Sequence, residues 1–367
     1  MKFKCDRNTI LREIAIAQDI ISSRNALSIL SNVLIEADNN TLVIKATDLK
    51  VGFETRIPVE VISPGTTTVF CEKLLGILRA LPDEQVLFNL EDARLYISPE
   101  TKRVDFQLKS IASDQYPEIK EIGEENYFEI PQKDLIEMIS QTVFAVSDDE
   151  TRYFMNGVYL ENSDGALVMV ATDGRRLSYI KKQLDLPIRD FSGVIIPPKV
   201  LMLIKKLSSG EGNLSLAVSD KNIFFQFDNQ KISSNLIEGQ FPNYQRVIPE
   251  TQEYEIRVDR DELSRALQRV SLLVENKSRR IYLNLSADNI TLHSEESEIG
   301  VAKEDIPCSY QGPENSIALN YTYVTDPVKV ITDKEILIRY SEPNKAITIL
   351  PNPERDYFHI VMPMQID

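Results

Sequence analysis

Histidine is nearly missing from this sequence, with two residues, His293 and His359, in 367. Neither stands at a metal-binding spacing from the other or from a cysteine, so a histidine-based metal centre is excluded. His293 closes a strand pattern and His359 lies beside one, and both read as ordinary structural residues. The three cysteines, Cys5, Cys71 and Cys308, are scattered and odd in number. That excludes a disulfide framework and points to a reducing compartment. None has a histidine partner that would make it a nucleophile. There is no Gly-x-Ser-x-Gly elbow and no Gly-x4-Gly-Lys phosphate loop. Gly210-Glu211-Gly212 lacks the third glycine and follows a helix pattern, so it reads as a turn. Asp148-Asp149-Glu150 has the composition of an acid–base or metal cluster but reads as a solvated acidic loop. No apolar run approaches the ~18 residues of a membrane span, and the opening MKFKCDRNT has no signal core. The expectation is a cytoplasmic protein with no metal, no cofactor, no membrane contact and no catalytic set, which favours a binding or scaffold role.

What is present is repetition. The segment 167–184, LVMVATDGRRLSYIKKQL, carries an apolar run into Ala171-Thr172-Asp173-Gly174 and leaves by a basic, alternating stretch. The same shape occurs at 42–57 around Ala46-Thr47-Asp48, with a weaker echo at 290–306. Asp48, Asp173 and Glu296 are about 125 residues apart, the signature of a repeated domain. A second landmark keeps that offset: Gln115-Tyr116-Pro117 against Gln240-Phe241-Pro242-Asn243-Tyr244. Three copies, 1–125, 126–251 and 252–367, suit a chain of this length.

Each copy reads as two helices and several hairpin-linked strands. Asp6 is placed to cap a helix with Ile10, Leu11, Ile14, Ala17 and Ile21 on one side. Asp259 and Glu262 form a capping-box pattern before Leu263, Ala266, Leu267, Val270 and Leu273. Pro131 and Pro198 are read as first helical residues, and Pro327 is expected to shorten or bend the last helix. Helices packed on antiparallel sheets give an α+β class. Repeats stacked head to tail form either an open array or a closed ring, and periodicity does not choose between them.

The chain is acidic overall, at −15, but the charge is unevenly spread. The six helix segments (7–24, 71–81, 132–145, 198–207, 259–274, 320–330) hold 13 Lys+Arg against 9 Asp+Glu. They are therefore at +4 and the remainder at −19. Arg265 and Arg269 share a face opposite the apolar stripe, as do Lys199 and Lys206. Such faces suit weak, salt-sensitive, sequence-independent contact with phosphates. Leu272 and Leu273 follow the stripe of the fifth helix, and neighbours on a helix point about 100° apart. At least one of them therefore faces away from the core, toward a neighbouring subunit.

The three copies, Ala171 to Leu177, Arg152-Tyr153-Phe154-Met155-Asn156-Gly157, Phe241 to Val247 and Val361-Met362-Pro363-Met364 together resemble the bacterial sliding-clamp family, the beta subunit of DNA polymerase III. The resemblance spans the chain. It implies three clamp domains per subunit and a head-to-tail homodimer closing a six-domain ring around double-stranded DNA. It also implies a non-catalytic processivity factor that tethers the replicative polymerase subunit, the clamp loader and other clamp-motif proteins. Carried over by position, a partner-peptide pocket would use Met155, Thr172, Gly174, Arg175, Arg176, Leu177, Pro242, Arg246, Val247, Asn320, Tyr323, Met362, Pro363 and Met364. DNA contacts would add Arg24, Lys73, Asp149, Arg152 and Tyr153 to the basic helix faces. The dimer interface would set Lys73, Arg103 and Phe106 against Leu272, Leu273 and acids around Glu298 and Glu304. This chain departs from the family pattern with Arg175 where a histidine is frequent, Asp149 where an amide is, and Asp367 beyond the usual apolar end. The alternatives are an open repeat scaffold that binds no DNA and a hydrolase whose site involves Asp148 or Asp149.

Overall fold

The computed structural model describes residues 1–21, 29–185 and 187–365; Arg24 and Asp367 lie outside the described residues. Its helices are Arg7–Ile20 (α1), Cys71–Ala80 (α2), Gln132–Thr142 (α3), Pro198–Leu207 (α4), Arg260–Val270 (α5) and Tyr321–Val330 (α6). Each copy runs strand, helix, four strands, helix, three strands, and the first copy inserts one extra strand. The α+β repeat expected from the spacing is therefore present three times.

Local chemistry sets the boundaries. Asp6 caps α1, accepting from Thr9 N at 2.8 Å, and Ile10, Ile14, Ala17 and Ile20 form its buried side. Asp259 caps α5, accepting from Asp261 N at 2.9 Å and Glu262 N at 3.0 Å. Glu262 does not complete a capping box; it turns to Arg265 at 3.6 Å. Pro198 opens α4 as expected, whereas Pro131 ends a strand and stands at the N-cap of α3. α6 runs through Pro327 to Val330 and closes with Ile331 N donating to Pro327 O at 3.0 Å. α5 ends at Val270, and Ser271–Leu273 continue as a 3-10 turn.

The repeated Ala-Thr-Asp is a turn built by two side chains. In the second copy Asp173 Oδ1 accepts from the amides of Arg175 (2.8 Å) and Arg176 (3.1 Å). Thr172 Oγ1 donates to Arg176 O at 2.6 Å and accepts from Gly174 N at 3.0 Å. In the first copy Asp48 and Thr47 do the same for Lys50, Val51 and Leu49. The turn needs a positive φ at its tip. Glycine supplies it at +87° in one copy, and Leu49 is held there at +71° in the other.

The chain forms two compact units that do not follow the repeat boundaries. One comprises Met1–Ile130 with Gly212–Leu236, the other Pro131–Glu211 with Ile237–Asp367. The first contains a thirteen-stranded sheet in which Gln230–Asn235 of the middle copy pairs antiparallel with Val51–Pro58 of the first. The second contains a twelve-stranded sheet in which Arg176–Gln183 pairs antiparallel with Tyr357–Val361 of the third copy. The middle copy thus lends half its strands to each neighbour. In both units helices cover the sheet, α1 with α2 in the first, and α3 with α4 and α5 with α6 in the second.

A buried polar cluster ties the middle and third copies within the second unit. His359 Nδ1 lies 3.0 Å from Ser178 Oγ and Nε2 lies 3.1 Å from Gln141 Oε1. Gln141 Nε2 then donates to Val330 O at 3.0 Å. Burial pushes the His359 imidazole down to about 3, so the ring is neutral in the native state. Between its unfolded value near 6.5 and that lowered value, only the unfolded chain takes up the proton. Stability from this residue is therefore present above pH 6.5 and lost as pH falls, by about 1 kcal/mol between pH 6.5 and 5.5. His359→Gln should remove that increment, leaving a correspondingly flatter pH dependence of urea stability. Equal slopes for the two proteins would contradict the assignment.

Candidate partner-docking groove and basic helix faces

The Asp173 turn, the Tyr244–Val247 turn and the chain after Val361 converge in the second unit. A first depression of about 260 Å³ is lined by Met155, Thr172, Gly174, Arg175, Arg176, Leu177, Pro242, Val247 and Met362. Asn243, Tyr244 and Ile360 complete it. A second, of about 490 Å³, is lined by Arg175, Asn320, Tyr323, Met362, Pro363 and Met364, with Lys277, Ser278, Arg280 and Gln365. Arg175 and Met362 belong to both, so the two form one groove with two lobes. Thirteen of the fourteen residues expected of a peptide pocket line this groove. The exception, Arg246, is exposed on the Tyr244–Val247 turn and lines neither lobe.

Backbone bonds fix the groove's end wall, with Met362 N donating to Arg175 O at 2.9 Å and Met364 N to Ala318 O at 2.8 Å. Tyr244 carries the opposite wall. Its hydroxyl donates to Glu161 Oε1 at 2.6 Å, and Tyr159 reaches the other oxygen at 3.1 Å while stacking on Phe241. Burial and the Glu161 carboxylate push the Tyr244 hydroxyl well above its ordinary value. Tyr244 and Glu161 were not legible as site residues, although the aromatic spacing around Phe241-Pro242 marked the segment.

Arg176 does not supply a free donor to the groove. Its guanidinium contacts Asp173 at 3.1 Å, Asp326 at 2.6 Å and Phe144 O at 2.5 Å. It also lies over the Tyr323 ring, 4.6 Å from the centroid. Arg175, by contrast, is exposed. Gly174 has φ +87°, and a Cβ there would sit 2.9 Å from Arg152 Nη1.

The expected DNA contacts divide. Lys73 on α2, Lys199 on α4, and Arg265 and Arg269 on α5 are all exposed. α4 carries three lysines and no acid, and Lys199, Met202 and Lys206 lie along its open side. On α5 the charge is largely offset: Arg265 pairs with Glu262, and both Glu304 oxygens take the Arg269 guanidinium. Asp149 caps a 3-10 turn, bonded to Thr151 and to Arg152 Nε at 2.9 Å. Those bonds hold its carboxyl down to about 2, so Asp149 and Arg152 form an ion pair rather than two independent contacts. Tyr153 is exposed beside them. Arg24 lies outside the described residues.

Of the residues expected at a subunit interface, Leu272 is 81% exposed. Leu273 is half-buried, its Cδ1 3.8 Å from the Cβ position of Gly300. Ile299 (87%) and Val301 are exposed on the same segment. Phe106 opens the strand Phe106–Ile111, whose 106–109 stretch has a partner on one side only. Glu304 lies on Lys303–Ser309, where 303–307 is likewise paired on one side. Lys73 and Arg103 are exposed, and so is Glu298.

No group of three or more His, Cys, Asp or Glu among the described residues is arranged to hold a metal. Burial pushes the Cys5 and Cys71 thiols up to about 12, leaving them unreactive. No helix among the described residues is long and apolar enough to cross a membrane.

Three like copies that extend one another's sheets, with an apolar groove and charged helix faces, define a clamp fold. Comparison with known proteins agrees along the whole chain. The N-terminal, central and C-terminal domains of the DNA polymerase III beta subunit match residues 1–120, 129–243 and 245–365. The beta sliding clamp of Treponema pallidum is 45% identical over 371 residues and that of Pseudomonas aeruginosa 29% over 369, with 100% of each chain covered. A crystal structure of the Pseudomonas aeruginosa clamp bound to griselimycin superposes with a TM-score of 0.94 at 29% identity over 100% of both chains. The Bacillus subtilis clamp gives 0.95 at 26%, also over 100% of both. The chain belongs to the DNA polymerase III beta subunit family, a family of non-catalytic processivity clamps.

Removing Arg176 would strand two carboxylates in a poorly hydrated site, and breaking such a pair costs roughly 3 kcal/mol. Arg176→Ala should lower urea stability by about that amount, and Asp326→Ala should add little to it because the two act together. Full additivity of the two losses would show that Arg176 is not the hub described.

Proposed function

We propose that the chain closes with a second copy, head to tail, into a six-domain ring around duplex DNA in the cytoplasm. There it would tether the replicative polymerase, the clamp loader and other proteins bearing a short docking motif. The observation that carries the ring is the pattern of sheet joints. The first and middle copies join through Val51–Pro58 and Gln230–Asn235, the middle and third through Arg176–Gln183 and Tyr357–Val361. By repeat position the unused counterparts are Lys303–Ser309 and Phe106–Ile111, the two strands with open sides. Pairing them between subunits repeats the same joint by strand addition. Around those edges Leu272, Ile299 and Val301 are exposed on one side, and on the other Val104 is exposed and Phe106 half-buried. Arg103 and Lys109 would meet Glu298 and Glu304, a complementary charge arrangement.

A ring holds DNA by topology, so its contacts need only be weak. The α4 lysines on an acidic body suit that requirement, because strong phosphate binding would oppose sliding. Domain limits of 1–125, 126–251 and 252–367 remain part of this reading.

The test is retention on DNA of two topologies. Loaded protein should persist on closed circular duplex and be lost from the same DNA after linearisation. Replacing Leu272 and Leu273 by alanine removes about 1.5–3 kcal/mol for each leucine buried at the joint. That variant should sediment as folded monomer at micromolar concentration and be retained on neither DNA. Equal retention on circular and linear DNA would favour an ordinary DNA binder, and no retention by a dimeric protein would favour the scaffold alternative.

A further inference from the structure

One position on the first helix of each copy differs sharply in burial between the copies. In α3 it is Gln141, ten residues after the N-cap Pro131. Gln141 is buried, and its Oε1 lies 3.1 Å from Nε2 of His359 on the third copy's joint strand, Tyr357–Val361. In α1 the same count from the N-cap Asp6 reaches Ile16, which is 6% exposed. In α5 the count from Asp259 reaches Arg269, whose side chain is 54% exposed. The joint strands show the same contrast. Four residues before the turn acids Asp48, Asp173 and Glu296 stand Ile44, Met169 and Leu292, whose ladder partners are Thr55, Ile180 and Glu304. Thr55 and Ile180 are fully buried on strands that enter the two internal joints. Glu304, on the open strand Lys303–Ser309, is half-buried.

The two uncovered positions hold each other: both Glu304 oxygens take the Arg269 guanidinium, one of them from Nε at 2.8 Å. Left in water, such a pair contributes little. Resting on the ring proposed above, we infer that Arg269 is a residue of the subunit joint and not a phosphate contact. With Glu304 it forms an ion pair assembled within one subunit and buried when the second copy adds its strand. The repeat also says what covers it. Ile111 and Ile237 pair with Thr68 and Ile195, each three residues before a helix, and five residues ahead of them stand Phe106 and Ile232. Ile232 lies opposite Phe53 in its joint as His359 lies opposite Ser178 in the other. Phe106 of the partner subunit therefore takes the place that His359 has beside Gln141, and the Arg269 guanidinium meets its ring, a favourable cation–π arrangement. Glu304 enters the joint already paired, so Arg103 and Lys109 add to that pair rather than supply it. Removing either member strands a charge in the closed joint, where an unpaired charge is costly.

The experiment measures dimerisation of the full-length protein by sedimentation velocity, for wild type, Arg269→Met, Glu304→Leu and the double variant. Arg269→Met should raise the dimer dissociation constant at least about 100-fold, roughly tenfold at each of the ring's two joints. Glu304→Leu alone should weaken the dimer likewise, because it strands the arginine. The double variant leaves no unpaired charge and should return to within about tenfold of wild type. Melting of each dissociated variant should match that of the wild-type subunit, where the pair is open to water. The double variant, dimeric again, should be lost from closed circular DNA with the wild-type salt dependence. A phosphate contact would instead make that slope shallower by about one for each arginine removed. An Arg269→Met dimer as tight as wild type, no recovery in the double variant, or a shallower salt slope for it overturns the inference. Failure of the ring reading looks different and takes this inference with it. In that case the wild type sediments as a monomer at every concentration, or replacing Leu272 and Leu273 by alanine leaves it dimeric.

Discussion

The antiparallel joint between successive copies is the constraint on which the rest depends. Arg176–Gln183 and Tyr357–Val361 satisfy each other's backbone groups, and the same pairing fixes the groove. Arg176 begins one strand and Val361 ends the other, opposite each other in register. The turn before Arg176 and the tail after Val361 are therefore delivered to one place by a hydrogen-bond ladder. The groove is a product of sheet register, and its two most separated pieces of sequence meet without any long loop to guide them.

Charge follows a similar economy. On a protein at −15, α4 is a helix whose own sequence contains lysines and no acid, and the carboxylates of Asp173 and Asp326 are committed to Arg176. Where both signs are present, as at Arg269 with Glu304 or Arg152 with Asp149, the charges cancel locally and their sequence positions overstate them. Position on a helix face is therefore a weaker guide to phosphate contact than the company each cation keeps.

Much of the architecture was legible because it is local and repeated. Asp6 and Asp259 cap where their spacing places them, the two Ala-Thr-Asp segments build one turn, and thirteen groove residues could be assigned by likeness. What escaped involves partners far apart in sequence. No pattern within 160–180 shows that Glu161 will anchor Tyr244, that Arg176 will be held by Asp326, or that Ser178 will meet His359. The division into two units that ignore the repeats escaped for the same reason. Hydrophobic alternation says which face of a strand is buried but not which strand lies beside it.

That division has a consequence for how the chain is made. A ribosome adds about 5–20 residues per second, and the first unit has its whole sequence only once Gly212–Leu236 has been synthesised. Residues 131–211, although synthesised earlier, belong to the unit completed by 237–367. The strand Arg176–Gln183 meets its partner only when Tyr357–Val361 appears. For several seconds the nascent chain carries this basic, alternating strand without the partner along that edge, and the sheet is not completed copy by copy. The completed sheet thus joins segments that are synthesised far apart in time.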